Sequence, residues 1–360
     1  MRLPKPLAPG STIGILGGGQ LGRMLALAAG QLGLKCHIFA PEADSPAFQV
    51  SAEHTVADYD DFAALEIFAK AVDAVTYEFE NVPGDTAAFF ESLAPLAPSS
   101  AALKTAQDRV DEKTFIAGLG IPVAPFAAVD EEADLDKAIS RIGRPSVLKT
   151  RRFGYDGKGQ TNILQETSAA AAWAEIGNSP AILEGFISFD KEISVIAARG
   201  WDGSVAVYDV PENRHENHIL KSSTVPANIS PATAEAARAM ARKIIVALDY
   251  VGVMGIEMFV SGTRLIVNEI APRVHNSGHW TQDACVVSQF EQHIRAISGW
   301  TLGSTERHSN VVMTNILGHE ADNWAEYGAS ANTSLHFYGK SEARRGRKMG
   351  HINVLTPRQG

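Results

Sequence analysis

The first hundred residues alternate short apolar runs with amphipathic stretches. Four apolar runs have the length of buried strands, at residues 12–16, 35–39, 73–77 and 96–98. Between the first two, the apolar positions of residues 20–32 recur at helical spacing and end near Gly33. Strands that alternate with helices are typical of a parallel, doubly wound sheet. The pattern therefore predicts an α/β domain over residues 1–100.

The pattern changes after residue 100. A helical pattern over residues 101–117 stops at the segment GLG, and the extended segment IPVAP follows it. From Ser146 onward, hairpin signals become frequent, among them the segment GWDG at residues 200–203. These features predict an α+β domain over residues 101–303.

The last part of the chain is predicted to be a small β-rich domain over residues 304–360. A connector around residues 299–307 precedes it. Three short apolar segments are then candidate strands, at residues 311–314, 334–338 and 352–355.

Composition narrows the function classes. The chain has 360 residues, 45% of them hydrophobic, and a net charge of -9, which disfavours general nucleic-acid binding because that binding depends on phosphate neutralisation. No apolar run approaches the roughly 20 residues of a membrane-spanning helix, and the N-terminus lacks an apolar signal region, so we expect a cytoplasmic protein without membrane contact. The two cysteines, Cys36 and Cys285, lie in apolar contexts and are expected to be buried thiols.

A glycine-rich loop follows the first predicted strand. The segment GGGQLG at residues 17–22 has the spacing of a dinucleotide-binding loop, and Glu42 lies near the position of a ribose-binding acid. Taken alone, this indicates an NAD site. The free amides at a helix N-terminus accept any phosphate, however, so the loop equally suits a sugar phosphate.

A second glycine-rich segment carries more chemistry. Lys149 ends a predicted strand and leads into the basic segment TRRFGYDGKGQ at residues 150–160, which can fold backbone amides over polyphosphate oxygens. Farther along, Glu257 and Glu269 lie on predicted strands and offer the hard oxygen ligands that Mg²⁺ prefers. Together, Lys149, a glycine-rich segment that could close over phosphates, and the paired acids Glu257 and Glu269 predict phosphoryl transfer from ATP.

Several motifs then indicate a family. They are QDRVDEK at residues 107–113, RPSVLK at 144–149, YDGKGQ at 155–160, EGFI at 184–187, NEIAPRVHNSGHWT at 268–281, YGK at 338–340 and RGRKMGH at 345–351. In this order they resemble the ATP-grasp superfamily and, within it, the 5-(carboxyamino)imidazole ribonucleotide synthases of purine biosynthesis. The chain departs from that pattern in three places. Phe153 replaces a glycine that is often found there, Ile187 stands where valine is common, and residues 1–8 extend the N-terminus. The resemblance implies an ATP-grasp fold with a Rossmann-like N-terminal domain.

The resemblance also implies a nucleotide site. Arg109 and Lys149 would approach the phosphates of ATP, the loop would close over them, and Glu192 would hydrogen-bond the ribose. The full implied set is Arg109, Lys149, Gly154, Tyr155, Asp156, Gly157, Lys158, Gly159, Gln160, Glu184, Gly185, Phe186, Ile187, Glu192, His215, Asn268 and Glu269. Mg²⁺ would be held by Glu257 and Glu269.

The implied substrates are aminoimidazole ribonucleotide and bicarbonate. Their implied binding residues are Gly19, Gln20, Leu21, Glu78, Tyr155, Asp156, Arg273, His275, Asn276, Ser277, Lys340 and Arg347. The resemblance implies that the catalytic residues are Asp156, Arg273, His275, Lys340 and Arg347. Glu78 follows a strand at the edge where open α/β sheets collect ligands, and we favour it over its neighbour Glu80.

The implied reaction carboxylates the exocyclic amine of the ribonucleotide through carboxyphosphate, giving ADP and phosphate. Either Asp156 or the departing phosphate would take the amine proton. Family analogy suggests a homodimer. The alternatives are another ATP-grasp ligase, such as a formate-dependent glycinamide ribonucleotide transformylase or a biotin carboxylase, and a non-catalytic nucleotide-binding module. The short chain and the basic C-terminal motif argue against the first group.

Overall fold

The computed structural model describes residues 3–154 and 157–358, which fold into three sheets. Tyr155 and Asp156, two of the predicted site residues, lie outside the described residues.

The N-terminal sheet is parallel, as the apolar runs predicted. Its elements are β1 (Thr12–Leu16), α1 (Gln20–Gln31), β2 (Lys35–Ala40), β3 (Glu53–Val56), α2 (Phe62–Lys70), β4 (Ala74–Tyr77) and α3 (Gly84–Leu93). The strand order is β3-β2-β1-β4. Apolar side chains on β1, β2 and β4, such as Ile13, Ile38 and Val75, are fully buried, which holds helices against the sheet.

Two strand predictions for this domain differ from the structure. Residues 96–98 form a single bridge, between Leu96 and Val75, rather than a strand. Pro95 and Pro98 flank this bridge, and proline has no amide hydrogen to extend a ladder. The edge strand β3 was not predicted because it is mostly exposed and carries no apolar run.

The helix predicted over residues 101–117 is two helices, α4 (Ser100–Gln107) and α5 (Arg109–Gly118). Asp108 between them has an extended backbone, with φ −115° and ψ 116°, and its carboxylate accepts hydrogen bonds from the amides of Val110 and Asp111. An aspartate that caps the next helix in this way ends one helix and begins another. The break places Arg109 in the first turn of α5.

A small antiparallel sheet follows. Its elements are β5 (Phe126–Val129), α6 (Glu132–Ile142), β6 (Ser146–Thr150), β7 (Gln160–Ile163), α7 (Ala169–Glu175) and β8 (Ala181–Gly185). The strand order is β5-β8-β6-β7, and α6 and α7 pack on one another and on its strands. Leu148, Leu183 and Trp173 lie in the core of this unit.

The remaining strands form one large antiparallel sheet. The elements are β9 (Lys191–Arg199), β10 (Val205–Val207), β11 (Glu212–Glu216), β12 (Ile219–Val225), α8 (Pro231–Ala247), β13 (Gly252–Ser261), β14 (Arg264–Ala271), α9 (Thr281–Ala284), α10 (Gln289–Ile297), β15 (Ser309–Leu317), α11 (Trp324–Gly328), β16 (Thr333–Phe337) and β17 (Lys348–Pro357). The path is β14-β13-β9-β11-β12-β15-β17-β16, with β10 paired to β9. The three predicted C-terminal strands exist and continue the same sheet as the acid-bearing strands.

The C-terminal segment returns to the N-terminal domain. The side-chain amide of Gln49 donates a hydrogen bond to the Gly339 carbonyl at 2.8 Å, and Ser341 donates to Asp44 at 2.5 Å. These contacts bring the YGK motif beside the glycine-rich loop after β1. Cys36 and Cys285 are free and buried, as predicted. Within residues 3–154 and 157–358, no helix combines the length and apolar character needed to cross a membrane.

Candidate active site

Two glutamates face each other near the end of the large sheet. Glu257 on β13 and Glu269 on β14 are direct cross-strand partners, so their side chains lie on the same face. Burial raises the pKa of Glu257, and the neighbouring Glu269 raises it further. Burial also disfavours ionised Glu269, but the Arg109 guanidinium, 2.8 Å away, outweighs this and lowers its pKa.

This acid pair fits a divalent cation. The side-chain oxygen of Asn268 is buried beside Glu269 and has no hydrogen-bond partner among the described residues. Two carboxylates and an amide oxygen are the hard ligands that Mg²⁺ uses when substrate phosphates complete its shell. Across the part of the chain that the structure describes, no three His, Cys, Asp or Glu side chains come together as an all-protein metal cluster.

The nucleotide-site residues approach this pair from the small sheet. Lys149 at the end of β6 makes a 2.8 Å ion pair with Glu184 on the adjacent strand β8. Gly157 and Gly159 in the following loop have positive φ, and a Cβ at Gly159 would lie 2.6 Å from the Thr150 hydroxyl. Larger residues would not fit there, so the glycines allow the loop to fold close over β6. Gly154, Lys158 and Gln160 lie in the same segment.

The predicted adenine hinge leaves β8. The amide of Gly185 donates to the Pro125 carbonyl at 2.8 Å, and that of Phe186 donates to Pro145 at 3.2 Å. Phe186 is exposed, whereas Ile187 is half-buried. Hydrogen bonds to Pro125 and Pro145 therefore fix the hinge backbone, while the Phe186 side chain remains exposed.

Glu192 and His215 also come together. Glu192 on β9 lies 2.8 Å from the Nδ1 atom of His215 on β11. Burial disfavours the charged imidazole, but the hydrogen bond to Glu192 and the charges of Glu257 and Glu192 together outweigh it, and the pKa of His215 is raised. A small cleft joins this pair to Glu257 and Asn268.

A larger, open cleft lies on the other side of Glu269. Arg109, Arg151, Arg152 and Arg273 line it, together with Glu80. Arg273 pairs with Glu80 through two hydrogen bonds, from Nε and from Nη2, the latter at 2.9 Å. Four guanidinium groups around one cleft suit anionic ligands.

The side chains of the HNSG segment at residues 275–278, after β14, have different surroundings. The ring of His275 lies 3.4 Å from Glu257 and hydrogen-bonds the Ser277 hydroxyl at 2.8 Å. Burial lowers the pKa of His275 to about 3, so it is neutral. Ser277, which was predicted to contact an anion, has a fully buried side chain bonded to Ser194 at 2.7 Å, and its role stays a prediction. Both polar side-chain atoms of Asn276 are buried without a partner in the described chain.

Glu78 follows β4, and its carboxylate reaches the glycine-rich loop at residues 17–22. Its carboxylate accepts hydrogen bonds from the amides of Gly19 and Gly22, the second at 2.6 Å. Burial raises the pKa of Glu78, and these amides oppose the rise. The amides at the start of α1 therefore already hold a carboxylate, which leaves Gln20 and Leu21 beside it for a ligand.

The two predicted C-terminal cations reach this region. Lys340 donates a hydrogen bond to the Lys348 carbonyl at 2.7 Å. Burial, and then the charge of Arg347, lower its pKa to about 8, while Glu78 opposes the change. Arg347 donates to the Glu342 carbonyl at 2.8 Å. Lys340, Arg347 and Glu78 therefore share one electrostatic environment next to the glycine-rich loop.

Three family models match successive parts of the chain. They are the ribonucleotide synthetase preATP-grasp domain at residues 11–107, the ATP-grasp domain at 114–290 and the phosphoribosylaminoimidazole carboxylase C-terminal domain at 311–360. The N5-carboxyaminoimidazole ribonucleotide synthase of Brucella melitensis is 53% identical over 356 residues, covering 98% of both proteins. The chain belongs to this synthase family. The resemblance found from the motifs is thereby confirmed, since the two forms of the name describe the same product.

Solved structures of the family have the same fold. The Staphylococcus aureus synthetase complexed with ADP superposes with a TM-score of 0.93 at 39% identity, over 98% of this chain and 95% of that one. The Aspergillus clavatus synthase in complex with ADP and 5-aminoimidazole ribonucleotide gives 0.91 at 32% identity, over 97% and 94%. The predicted ATP-grasp architecture is therefore confirmed.

Two buried residues beside the facing glutamates were not among the predicted site residues. Glu112 accepts a hydrogen bond from the Ile270 amide at 2.6 Å, and burial raises its pKa to about 8. Lys113 is fully buried and donates to the Asn268 carbonyl. Both follow Arg109 at three- and four-residue spacing, which places them on one face of α5. That spacing was the available signal.

Proposed function

We propose that this protein carboxylates 5-aminoimidazole ribonucleotide with ATP and bicarbonate, giving N5-carboxyaminoimidazole ribonucleotide, ADP and phosphate. The observation that carries the proposal is the facing pair Glu257 and Glu269, set between Lys149 and the arginine-lined cleft. The relatives' names and the ligands in their solved structures support the same substrates.

The part of the site between the small sheet and the facing glutamates, which we call the nucleotide half, binds and orients ATP. Arg109, Lys149 and the glycine-rich loop of residues 154–160 contact the phosphates, and the hinge beyond Glu184 receives adenine. Glu192, paired with His215, hydrogen-bonds the ribose. Glu257 and Glu269, with Asn268, hold Mg²⁺, which when bound neutralises charge on the transferring phosphoryl group.

The bicarbonate site lies in the larger cleft. Arg273, held by Glu80, supplies the positive charge, and neutral His275 and Asn276 supply hydrogen bonds. A bicarbonate oxygen attacks the γ-phosphorus as the bond to ADP breaks, giving carboxyphosphate. Carboxyphosphate then splits into CO₂ and phosphate inside the closed site, where the loop excludes water.

The ribonucleotide binds between the N-terminal domain and the C-terminal segment. Lys340 and Arg347, with the turn of Gly19, Gln20 and Leu21, contact its phosphate, while Glu78 orders the turn and faces the sugar. The exocyclic amine attacks CO₂ to form the carbamate and loses one proton. Asp156 or the newly formed phosphate accepts that proton, and Tyr155 completes this part of the site.

The test is the dependence of phosphate release on each substrate. Phosphate would be measured with MgATP alone, after omission of either the ribonucleotide or bicarbonate, and with all three. Release should require both, and rapid trapping should identify the carbamate. Equally fast ADP formation without the ribonucleotide would contradict the proposed coupling.

We propose further, by family analogy, a cytoplasmic homodimer whose chain divides near residues 100 and 303. Sedimentation equilibrium of the purified protein tests the assembly. Limited proteolysis with mass mapping of the cut sites tests the division.

A further inference from the structure

One lysine near the nucleotide half has an unusual environment. Lys113, in the second turn of α5, is completely buried, and a lysine is rarely so without charged or hydrogen-bonding partners. Its ammonium donates to the Asn268 carbonyl at 2.5 Å and lies 3.4 Å from the Val267 carbonyl. It is also 3.6 Å from the Glu184 carboxylate.

These contacts join three elements. Arg109, one turn before Lys113, pairs with the Glu269 carboxylate at 2.8 Å, and Glu112 accepts the Ile270 amide. Helix α5 therefore contacts three successive residues of β14. Lys113 extends the contact to β8, which carries the adenine hinge, so one side chain links the acid strand to the hinge.

Glu184 lies between two ammonium groups. Lys149 pairs with its Oε2 atom at 2.8 Å, and Lys113 faces its Oε1 atom. The Oε1 atom is buried and has no hydrogen-bond partner within the described residues. A buried acceptor without a donor is costly, and the amino group of a purine base bound at the hinge would supply one.

We infer that Lys113 is a positioning residue for ATP. It fixes the Glu184 carboxylate so that it faces the adenine base. It also holds β8, which leads into the hinge, in a fixed position relative to β14, which carries Glu269. The inference rests on the proposed function, because it assigns adenine to the hinge after β8. It adds a residue that does not itself touch the nucleotide. It also gives a role to the buried ammonium group of Lys113, which the proposed phosphate contacts do not involve.

The test compares Lys113→Met with Lys104→Met, the same change at an exposed lysine on α4. ADP affinity would be measured by titration calorimetry, and KM would be measured for ATP, inosine triphosphate and the ribonucleotide. We expect the ADP dissociation constant and the KM for ATP to rise about tenfold in Lys113→Met, with the KM for the ribonucleotide within about twofold. The preference for ATP over inosine triphosphate should fall about fivefold or more, because Glu184 loses one of its two cations.

A purely structural role would give a different result. It would raise the KM values of ATP and the ribonucleotide together and leave the base preference unchanged, which would overturn the inference, as would unchanged ADP affinity in a folded Lys113→Met. Lys113→Gln keeps a donor for Asn268 without the charge and carries the test if the methionine variant does not fold. Wild-type behaviour in Lys113→Gln would also overturn the inference. Absence of ribonucleotide turnover in the wild type would instead contradict the proposed function, and ADP binding would still test Lys113.

Discussion

The carboxylates of Glu257 and Glu269 differ in proton affinity although they face each other across two strands. Arg109 lowers the pKa of Glu269, whereas burial and then repulsion from Glu269 raise the pKa of Glu257. Two facing carboxylates ionise together only when a cation lies between them. This difference supports the proposed Mg²⁺ site, because a bound cation would favour the ionised form of both carboxylates.

Replacing Glu269 tests this arrangement. In Glu269→Gln we expect kcat to fall about 100-fold or more, because the glutamine side chain lacks the negative charge that attracts Mg²⁺ and the transferring phosphoryl group loses charge stabilisation. Urea unfolding should remain cooperative. Glu235→Gln, on the exposed face of α8, is the control and should keep full activity. Full activity in Glu269→Gln would remove this residue from the metal site.

If Lys340 binds the ribonucleotide as proposed, that binding should be sensitive to pH. With a pKa of about 8, its ammonium is charged below that pH and becomes neutral above it. We therefore expect kcat/KM for the ribonucleotide to fall above about pH 8, approaching tenfold per pH unit, while the KM for ATP stays level. Lys340→Arg should abolish the alkaline fall, since arginine stays charged. An unchanged profile in that variant would contradict the assignment.

At the scale of elements, the junction between α4 and α5 organises the nucleotide side. Asp108 caps α5 and also accepts two 3.0 Å hydrogen bonds from the Nε atom of Arg151, which follows β6. The Arg109 amide donates to the Arg151 carbonyl at 3.0 Å. One aspartate thus fixes the start of helix α5 to the segment that leads into the glycine-rich loop after β6.

Asp108→Ala should therefore affect both stability and ATP binding. We expect the free energy of unfolding to fall by about 1–2 kcal/mol through the lost cap, and the KM for ATP to rise severalfold because the loop is released. Asp61→Ala is the matched control, since Asp61 caps α2 in the N-terminal domain. It should lower the unfolding free energy similarly, as measured by urea titration, without changing the KM for ATP. Equal KM values in the two variants would refute the link to the loop.

Local patterns predicted most elements, but not the contacts between distant ones. Apolar runs identified the parallel sheet and the acid-bearing strands, because periodicity is a local property. The break at Asp108 was missed since its capping bonds interrupt an otherwise helical pattern. Glu80 was passed over because its partner, Arg273, is 193 residues away. Spacing within a sequence carries no information about such a pair.

At the scale of the whole molecule, a histidine cluster joins the C-terminal strands to the central part of the chain. His336 on β16 stacks on His351 on β17 with ring centroids 4.5 Å apart, and His279 lies 4.9 Å from His351. Asp283 pairs with His336 at 2.8 Å, and the Tyr338 hydroxyl bonds His351 at 2.8 Å. The interface therefore places three imidazoles close together.

This cluster should make stability depend on pH. Burial lowers the pKa of His279 and of His351 well below 6.5, and the neighbouring imidazoles lower both further. Below pH 6.5 the unfolded chain therefore binds protons that the folded chain excludes. The free energy of unfolding falls as pH decreases from that point, by up to about 1.4 kcal/mol per pH unit for each histidine.

His351→Gln tests the origin of this dependence. The variant should be less stable than the wild type at pH 7.5, because it loses ring packing, yet lose less stability between pH 7.5 and 5.5, because one proton-excluding group is gone. Urea unfolding at pH 7.5, 6.5 and 5.5 measures both effects. His54→Gln, at an exposed ring on β3, is the control and should keep the wild-type slope. If His351→Gln keeps that slope as well, the acid sensitivity arises outside the cluster, and neutral imidazoles do not hold the C-terminal strands in place.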